Sequence, residues 1–432
     1  MRIHLTWISA TVFLLGVAPS CVKAQTAAKP TANKPLLSTG ITGSIRASGL
    51  DDPQYVLSFV PIQALMLRAA RHPVTKDEIA KALQGTPVSM RCLLQLQLLR
   101  RDDNLYRLNY LLLTAQDQQK MYAVADRYGR SLAEAFLAHR GEFDEILRRY
   151  PSAALRPQLM FDLVAGAALN WQGLELTTQL GYRVHPPRHT NGDVYFVHSD
   201  ELGANLDFTG LYLDSETAPG TRMSFTTFGD GPSLPRLEGL PDVFDGVESA
   251  VAPWRKQPAL YEALRSEYIA LVLLAVDDAG QVMNAVAHGT NTDATLVQLS
   301  IPENRRNAIL HLLTSIGYLE RSGQRYVIAV PVLTRTDRPL VEATLKLTRD
   351  IMSAWLRRNY APMKHELSDL LPMRNGLPFS LVFSEVWHYE FGFATKTLAE
   401  DGFYANPRQR RNRYKGYVPL VWENSLLKGP GN

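Results

Sequence analysis

Residues 93–114 read LLQLQLLRRDDNLYRLNYLLLT, and residues 313–334 read LTSIGYLERSGQRYVIAVPVLT. Leu93 and Leu313, Leu99 and Leu319, Arg101 and Arg321, Tyr106 and Tyr326, Leu113 and Leu333, and Thr114 and Thr334 form six identical pairs, each separated by 220 positions with no gap. In both stretches an apolar helical run ends at a polar turn, Arg101-Asp102-Asp103-Asn104 in one and Ser322-Gly323 in the other. Strand-like runs follow, Leu105 to Thr114 and Arg325 to Leu333, and a long helix comes after each. The shared order of elements, more than the six identities, predicts an internal duplication.

Outward from the first copy, Tyr55 to Ala70 carries apolar residues at helical spacing and Pro73 ends that helix. Thr75-Lys76-Asp77-Glu78 is a capping box that starts a short helix to about Leu83. A turn at Gln84-Gly85-Thr86-Pro87 leads to a third helix, Val88 to Leu99, and the long helix spans Gln116 to His139. In the second copy Ser300-Ile301-Pro302-Glu303 carries a capping signature, Asn304 to Ile316 is the third helix, and Pro339 to Arg358 the long one.

This order of helix, short helix, turn, helix, two-stranded wing and long helix resembles the winged helix-turn-helix of MarR- and ArsR-type regulators. The resemblance implies a third helix that enters the major groove and a wing that reaches phosphates. In the first copy that helix is apolar nearly all round, with Ser89, Arg91 and Gln95 left to read bases; the second copy offers Arg305, Arg306, Asn307 and His311. An oily reading helix suits packing better than base readout, so a non-catalytic binding or scaffold role is expected ahead of transcriptional regulation.

The first residues bear on the same question. A basic start (Met1, Arg2, His4), an apolar run from Leu5 to Val17 and small residues before a break have the build of an export signal. Val22-Lys23-Ala24 before Gln25 suits signal peptidase, while Ala18-Pro19-Ser20-Cys21 loosely resembles a lipoprotein box, so Cys21 offers a lipid anchor. The expected location is periplasmic or extracellular. No second apolar run reaches membrane-spanning length, since Tyr268 to Val276 stops at Asp277 and Asp278. Losing Arg2 and Lys23 with residues 1–24 lowers the formal charge from +4 to +2, too small a surplus to imply nucleic acid. With Cys21 removed or lipidated, Cys92 has no partner for an intramolecular disulfide.

The expected class is therefore α+β: two winged-helix-like lobes, a β-rich middle segment and an aromatic C-terminal helix. The boundaries are a signal peptide at 1–24, a flexible tether at 25–48, lobe A with its long helix at 49–150, the middle segment at 151–256, lobe B at 257–370, and the C-terminal helix and basic aromatic tail at 371–432. Within the middle segment Pro157 to Leu169 reads as a helix, and the runs Val194 to Val197, Leu206 to Leu213 and Met223 to Phe228 as strands. The lobes are expected to pack as an internal pseudo-dimer.

Three groups of residues could carry chemistry. His185, His189 and His198, with Asp193 and Asp200 nearby, are candidate metal ligands, although Pro186 and Pro187 keep the first two off a common helical face. Glu385 and His388 stand one helical turn apart beside Trp387 and Phe391, a pattern for a general base oriented by a carboxylate or for a hydrogen-bonded core histidine. Arg408, Arg410, Arg411, Arg413 and Lys415, interleaved with Tyr404, Tyr414 and Tyr417, suit an anionic surface or close the C-terminal helix as a solvated loop. No Gly-x-Ser-x-Gly elbow, phosphate-cradling loop or Cys-x-x-Cys pair occurs, so no cofactor is expected and enzymatic activity is unsupported rather than excluded, a secreted metal-dependent hydrolase being the alternative that the histidines leave open. The expected partner is a protein or an anionic surface rather than DNA.

Overall fold

Thr114 and Thr334 hold equivalent positions in the two copies. Each ends a strand and caps the next helix, with Asp117 and Asp337 respectively reaching back to the threonine backbone N–H. In the computed structural model, which describes residues 34–44, 48–189, 192–203, 209–211, 214–229, 257–408 and 417–427, helices and strands are mixed in an α+β arrangement.

The first unit comprises β1 (Leu37–Ser44), α1 (Pro53–Leu57), α2 (Val60–Arg71), β2 (Val74–Thr75), α3 (Lys76–Leu83), α4 (Met90–Gln95), β3 (Leu99–Asp102), β4 (Leu105–Leu108), β5 (Leu111–Leu113), α5 (Ala115–Leu137) and α6 (Arg140–Leu147). Then α7 (Arg156–Met160), a π-helical stretch (Phe161–Gln172) and α8 (Gly173–Gln179) run on without a break, and β6 (Val194–Glu201) closes the unit. The second unit has β7 (Asp214–Pro219), β8 (Met223–Gly229), α9 (Pro258–Ala287), α10 (Asp293–Leu296), α11 (Glu303–Ser315), β9 (Leu319–Ser322), β10 (Arg325–Ile328), β11 (Val332–Leu333), α12 (Arg338–Glu366), α13 (Leu371–Arg374), α14 (Phe379–Glu400) and β12 (Tyr417–Glu423).

Hydrogen bonds repeat between the units at the sequence spacing. Leu98 N donates to Leu93 O at 3.0 Å and Tyr318 N to Leu313 O at 2.8 Å; Asn109 N donates to Leu98 O and Ala329 N to Tyr318 O, both at 3.0 Å. Gln97 and Asp103, the non-glycine residues with positive φ (58° and 55°), have Gly317 and Gly323 as counterparts, at 82° and 61°. Glycine adopts that conformation without the Cβ clash that Gln97 and Asp103 bear, so the two turns keep one shape with different residues. At the long helices, Ala115 N donates to Glu201 Oε2 (3.0 Å) and Arg335 N to Glu423 Oε2 (2.9 Å).

Each unit builds a sheet whose central strand arrives last in sequence. β6 pairs antiparallel with β1 and parallel with β5; β12 pairs antiparallel with β8 and parallel with β11, with β7 added at the outer edge. Alternation along the strands sends Leu112, Tyr195 and Val197 into a small core with α2 to α4, and Leu111 and Leu113 into a central helical core. In the second sheet Phe225, Val332 and Val421 join the core of α9 and α11, while Leu333, Leu420 and Trp422 face the same central core. The central core is interlocked: α5 packs along α14, and α12 along the π-helical stretch. Gly129 permits the first of these contacts, since a Cβ there would lie 2.6 Å from Glu390 O and 3.0 Å from Ala394 N.

Four expectations change. Residues 37–44 of the anticipated tether form β1, because Leu37 is buried and the strand completes the first sheet; its glycines at 40 and 43 mask the alternation. Among its described residues the middle segment makes no sheet of its own: β6 joins the first unit, β7 and β8 the second, and the preceding helix is buried in the central core. The third helix of the first copy is confined to Met90–Gln95, as Leu99 already belongs to β3. Finally, Pro302, with no side-chain cap, precedes α11 in place of a Ser300 cap.

Candidate functional site, a polar crevice between β6 and α14

Two residues apart on β6, His198 and Asp200 share the face that meets the central core, which in a strand is fixed by the two-residue period. His198 Nδ1 lies 3.5 Å from Glu385 Oε1 of α14. The residues are only 7% and 6% exposed, and neither atom has a hydrogen-bond partner. The contact is thus a close approach of imidazole and carboxyl without hydrogen-bond geometry. Gly40 on β1 makes room for the ring: a Cβ at that position would sit 2.1 Å from His198 Nε2.

Around this pair the buried joint between β6 and α14 is densely polar. His388 Nδ1 lies 2.6 Å from Ser384 O; a carbonyl only accepts, so Nδ1 carries the hydrogen and Nε2 keeps its lone pair. Burial pulls the His388 imidazole down, with the Glu385 carboxylate opposing. Arg183 Nε donates to Ser384 Oγ at 3.2 Å, and burial lowers this guanidinium while Glu385 opposes. Burial pushes Asp200 up to about 6, with His198 lowering it and Glu385 raising it further. Tyr122 and Tyr389 pack with ring centroids 4.6 Å apart beside these carboxylates, and burial raises both phenols. Near neutral pH such a site can exchange a proton at Asp200 and offers an unpartnered carboxylate oxygen and imidazole nitrogen.

The equivalent crevice in the second unit is apolar. Leu113 is paired with Asp200 and Leu333 with Trp422, so Trp422 holds the position of Asp200 and Leu420 that of His198. Thr226, opposite Leu420, replaces Gly40, and its Oγ1 accepts from Trp422 Nε1 at 2.9 Å. One backbone arrangement therefore carries a satisfied hydrophobic joint on one side and a titratable one on the other.

The remaining candidates are dispersed. His185 is exposed, and His189 stacks on Tyr195 at 3.9 Å with Nε2 2.9 Å from Tyr195 O, so the three histidines expected to bind metal do not converge. Among the described residues no three His, Cys, Asp or Glu side chains are grouped to hold a metal ion. Glu385 and His388 do meet the polar site, but Glu385 turns to His198 and His388 to its own helix, not to each other as a base and its orienter. Arg305, its side chain 39% exposed, is tied to Asp278 (Nη2 to Oδ2, 2.5 Å), and Arg306 is 8% exposed. Arg408 Nη2 donates to Gly210 O at 2.7 Å, while Arg410, Arg411, Arg413 and Lys415 lie outside the described residues. Asp200, Arg183 and Gly40 complete the site; only the His198-x-Asp200 spacing announces any of them in sequence.

Asp200 supplies a stability test. Its folded value of about 6 exceeds the ordinary 3.8, so the folded state holds the proton more tightly; stability from this group is full below about pH 4 and falls as pH rises to about 6. At about 1.4 kcal/mol per unit the loss is at most about 3 kcal/mol. Urea denaturation should find Asp200→Asn more stable than the parent at pH 7.5 and equal to it at pH 4; equal stability at both would contradict the burial argument.

Comparison with known protein families, with curated proteins and with solved structures yields no match for this chain.

Proposed function

We propose that the chain is an exported, non-catalytic binding or scaffold protein in which two winged-helix-like units hold the molecule together as an internal pseudo-dimer rather than reading DNA. The carrying observation is the state of α11, the counterpart of a reading helix. Arg305 Nε donates to Asp278 Oδ2 at 2.7 Å and Arg306 Nη1 lies 3.5 Å from Ile301 O, so the first cation, 39% exposed, is ion-paired and the second is buried. The exposed residues of α11 include Asn304, Asn307, His311 and Leu312, with no Lys or Arg among them. Phosphate contacts dominate DNA affinity, and a helix whose cations are ion-paired or buried offers few of them. In the first unit the corresponding helix, α4, is six residues long and exposes Arg91 and Gln95. The interlocked central helices support the pseudo-dimer, and the build of residues 1–24 supports export.

Fluorescence anisotropy with a labelled mixed-sequence duplex tests the reading. No saturable binding is expected at about 50 mM salt, whereas tight binding that weakens steeply toward about 200 mM salt would reinstate the regulator alternative.

A further inference from the structure

The two sheets meet the central core through equivalent positions, yet the chemistry of the two joints is opposite. We propose that the β1–β6–β5 sheet is the half that undocks from the central helices, opening the crevice at Glu385, while the β8–β12–β11 sheet stays bound. Separation of the first joint returns His198, Asp200, Glu385 and Arg183 to water, which offsets much of its cost. Separation of the second exposes Leu420 and Trp422 and regains no charge hydration.

Two further observations fit. His198 Nδ1 and Glu385 Oε1 face each other without a hydrogen bond, so docking leaves their hydrogen-bonding capacity unused and opening loses none there. A groove of about 760 Å³ already enters the boundary between the first unit and the C-terminal elements, lined by Thr114, Lys120 and Glu201 on one side and Asp369, Leu371 and Arg374 on the other. The bonds across that boundary include the exposed Lys120–Asp369 ion pair, Leu371 N to Asp117 Oδ1 at 2.9 Å, Asn375 Nδ2 to Ala70 O at 2.7 Å and Arg100 Nη2 to Asn375 O at 3.1 Å, all of them local contacts at the rim. The titratable and charged groups facing the joint are His198 and Asp200 from β6, Glu385, His388 and Tyr389 from α14, Tyr122 from α5, and Arg183 beyond α8. The inference goes beyond the binding reading and stands or falls separately from the DNA test.

Thiol labelling provides the measurement, with the two units as mutual controls. In the full chain with Cys21→Ser and Cys92→Ser, single Leu113→Cys and Leu333→Cys variants place a thiol at equivalent positions, 1% and 0% exposed, both facing the central core. Under iodoacetamide the Leu113→Cys thiol is expected to react about tenfold or more faster than the Leu333→Cys thiol, because reaction at a buried site reports its opening. Adding His198→Leu with Asp200→Leu should slow the Leu113→Cys reaction toward the Leu333→Cys rate. Where that double replacement does not fold, Asp200→Asn should slow it in the same direction. Equal rates at the two positions, a faster Leu333→Cys, or a ratio unchanged by every crevice variant that folds would each overturn the proposal.

Discussion

Neither residues 34–229 nor residues 257–427 will show a cooperative thermal transition alone, and mixing the two fragments will restore one. The expectation follows from which surfaces each fragment loses. The first keeps α5 and the π-helical stretch but lacks α14 and α12, against which they pack. It also keeps β7 and β8 while losing β12, the strand to which β8 is paired from Met223–Glu423 to Gly229–Tyr417. The central core draws Leu132, Phe161 and Leu163 from one fragment and Trp355, Phe383 and Trp387 from the other, all of them buried. Burial of a large apolar side chain contributes roughly 1.5–3 kcal/mol, and a domain's whole stability is only about 5–15 kcal/mol, so a unit stripped of this face cannot stay folded. Calorimetry or far-ultraviolet circular dichroism on each fragment and on the equimolar mixture makes the check. A sharp transition in either fragment alone would show that the units are separable domains and that the interlock is dispensable.

Replacing both Asp162 with Asn and Glu390 with Gln should stabilise the protein strongly at pH 8 and hardly at all near pH 4. Both side chains are fully buried, and none of their four carboxyl oxygens has a hydrogen-bond partner. Burial raises each carboxyl well above its ordinary range, with no compensating charge. A raised folded value means that the native state binds the proton more tightly than the unfolded chain does. Stability is therefore unaffected at a pH below the unfolded value and declines above it, by about 1.4 kcal/mol per pH unit for each group until the folded value is reached. The amide replacements keep shape and a buried polar group but have no proton to lose, which removes this decline. Denaturant titrations of parent and double variant at pH 4, 6 and 8 should diverge progressively. Parallel curves would mean that solvent or a partner group reaches the carboxyls in solution.

The repeat at 220 positions was visible because turn, wing and cap are local: Thr114 with Asp117 and Thr334 with Asp337 act over three residues, and the hairpins close over two. The aromatic helix beginning near Pro378 was legible from its apolar run. The strands of the middle segment were partly legible as strands, yet their partners were not. The pairing β6 chooses depends on β1, some 150 residues upstream, and β12 reaches back to β8 across about 190. Nothing within a short window encodes such a choice.

The crevice divides in the same way. The sequence by itself determined that His198 and Asp200 would share a face if they lay in a strand, that Glu385 and His388 would share one in a helix, and that no recognised metal spacing was present. Only the tertiary structure decided that these two pairs meet, that Arg305 pairs with Asp278 while Arg306 is buried, and that His185 and His189 stay away. The physical reason is range. Periodicity and capping act within a helical turn or along a strand, whereas the approach of β6 to α14 is set by close packing of a whole core, down to a Gly40 that leaves space for one imidazole.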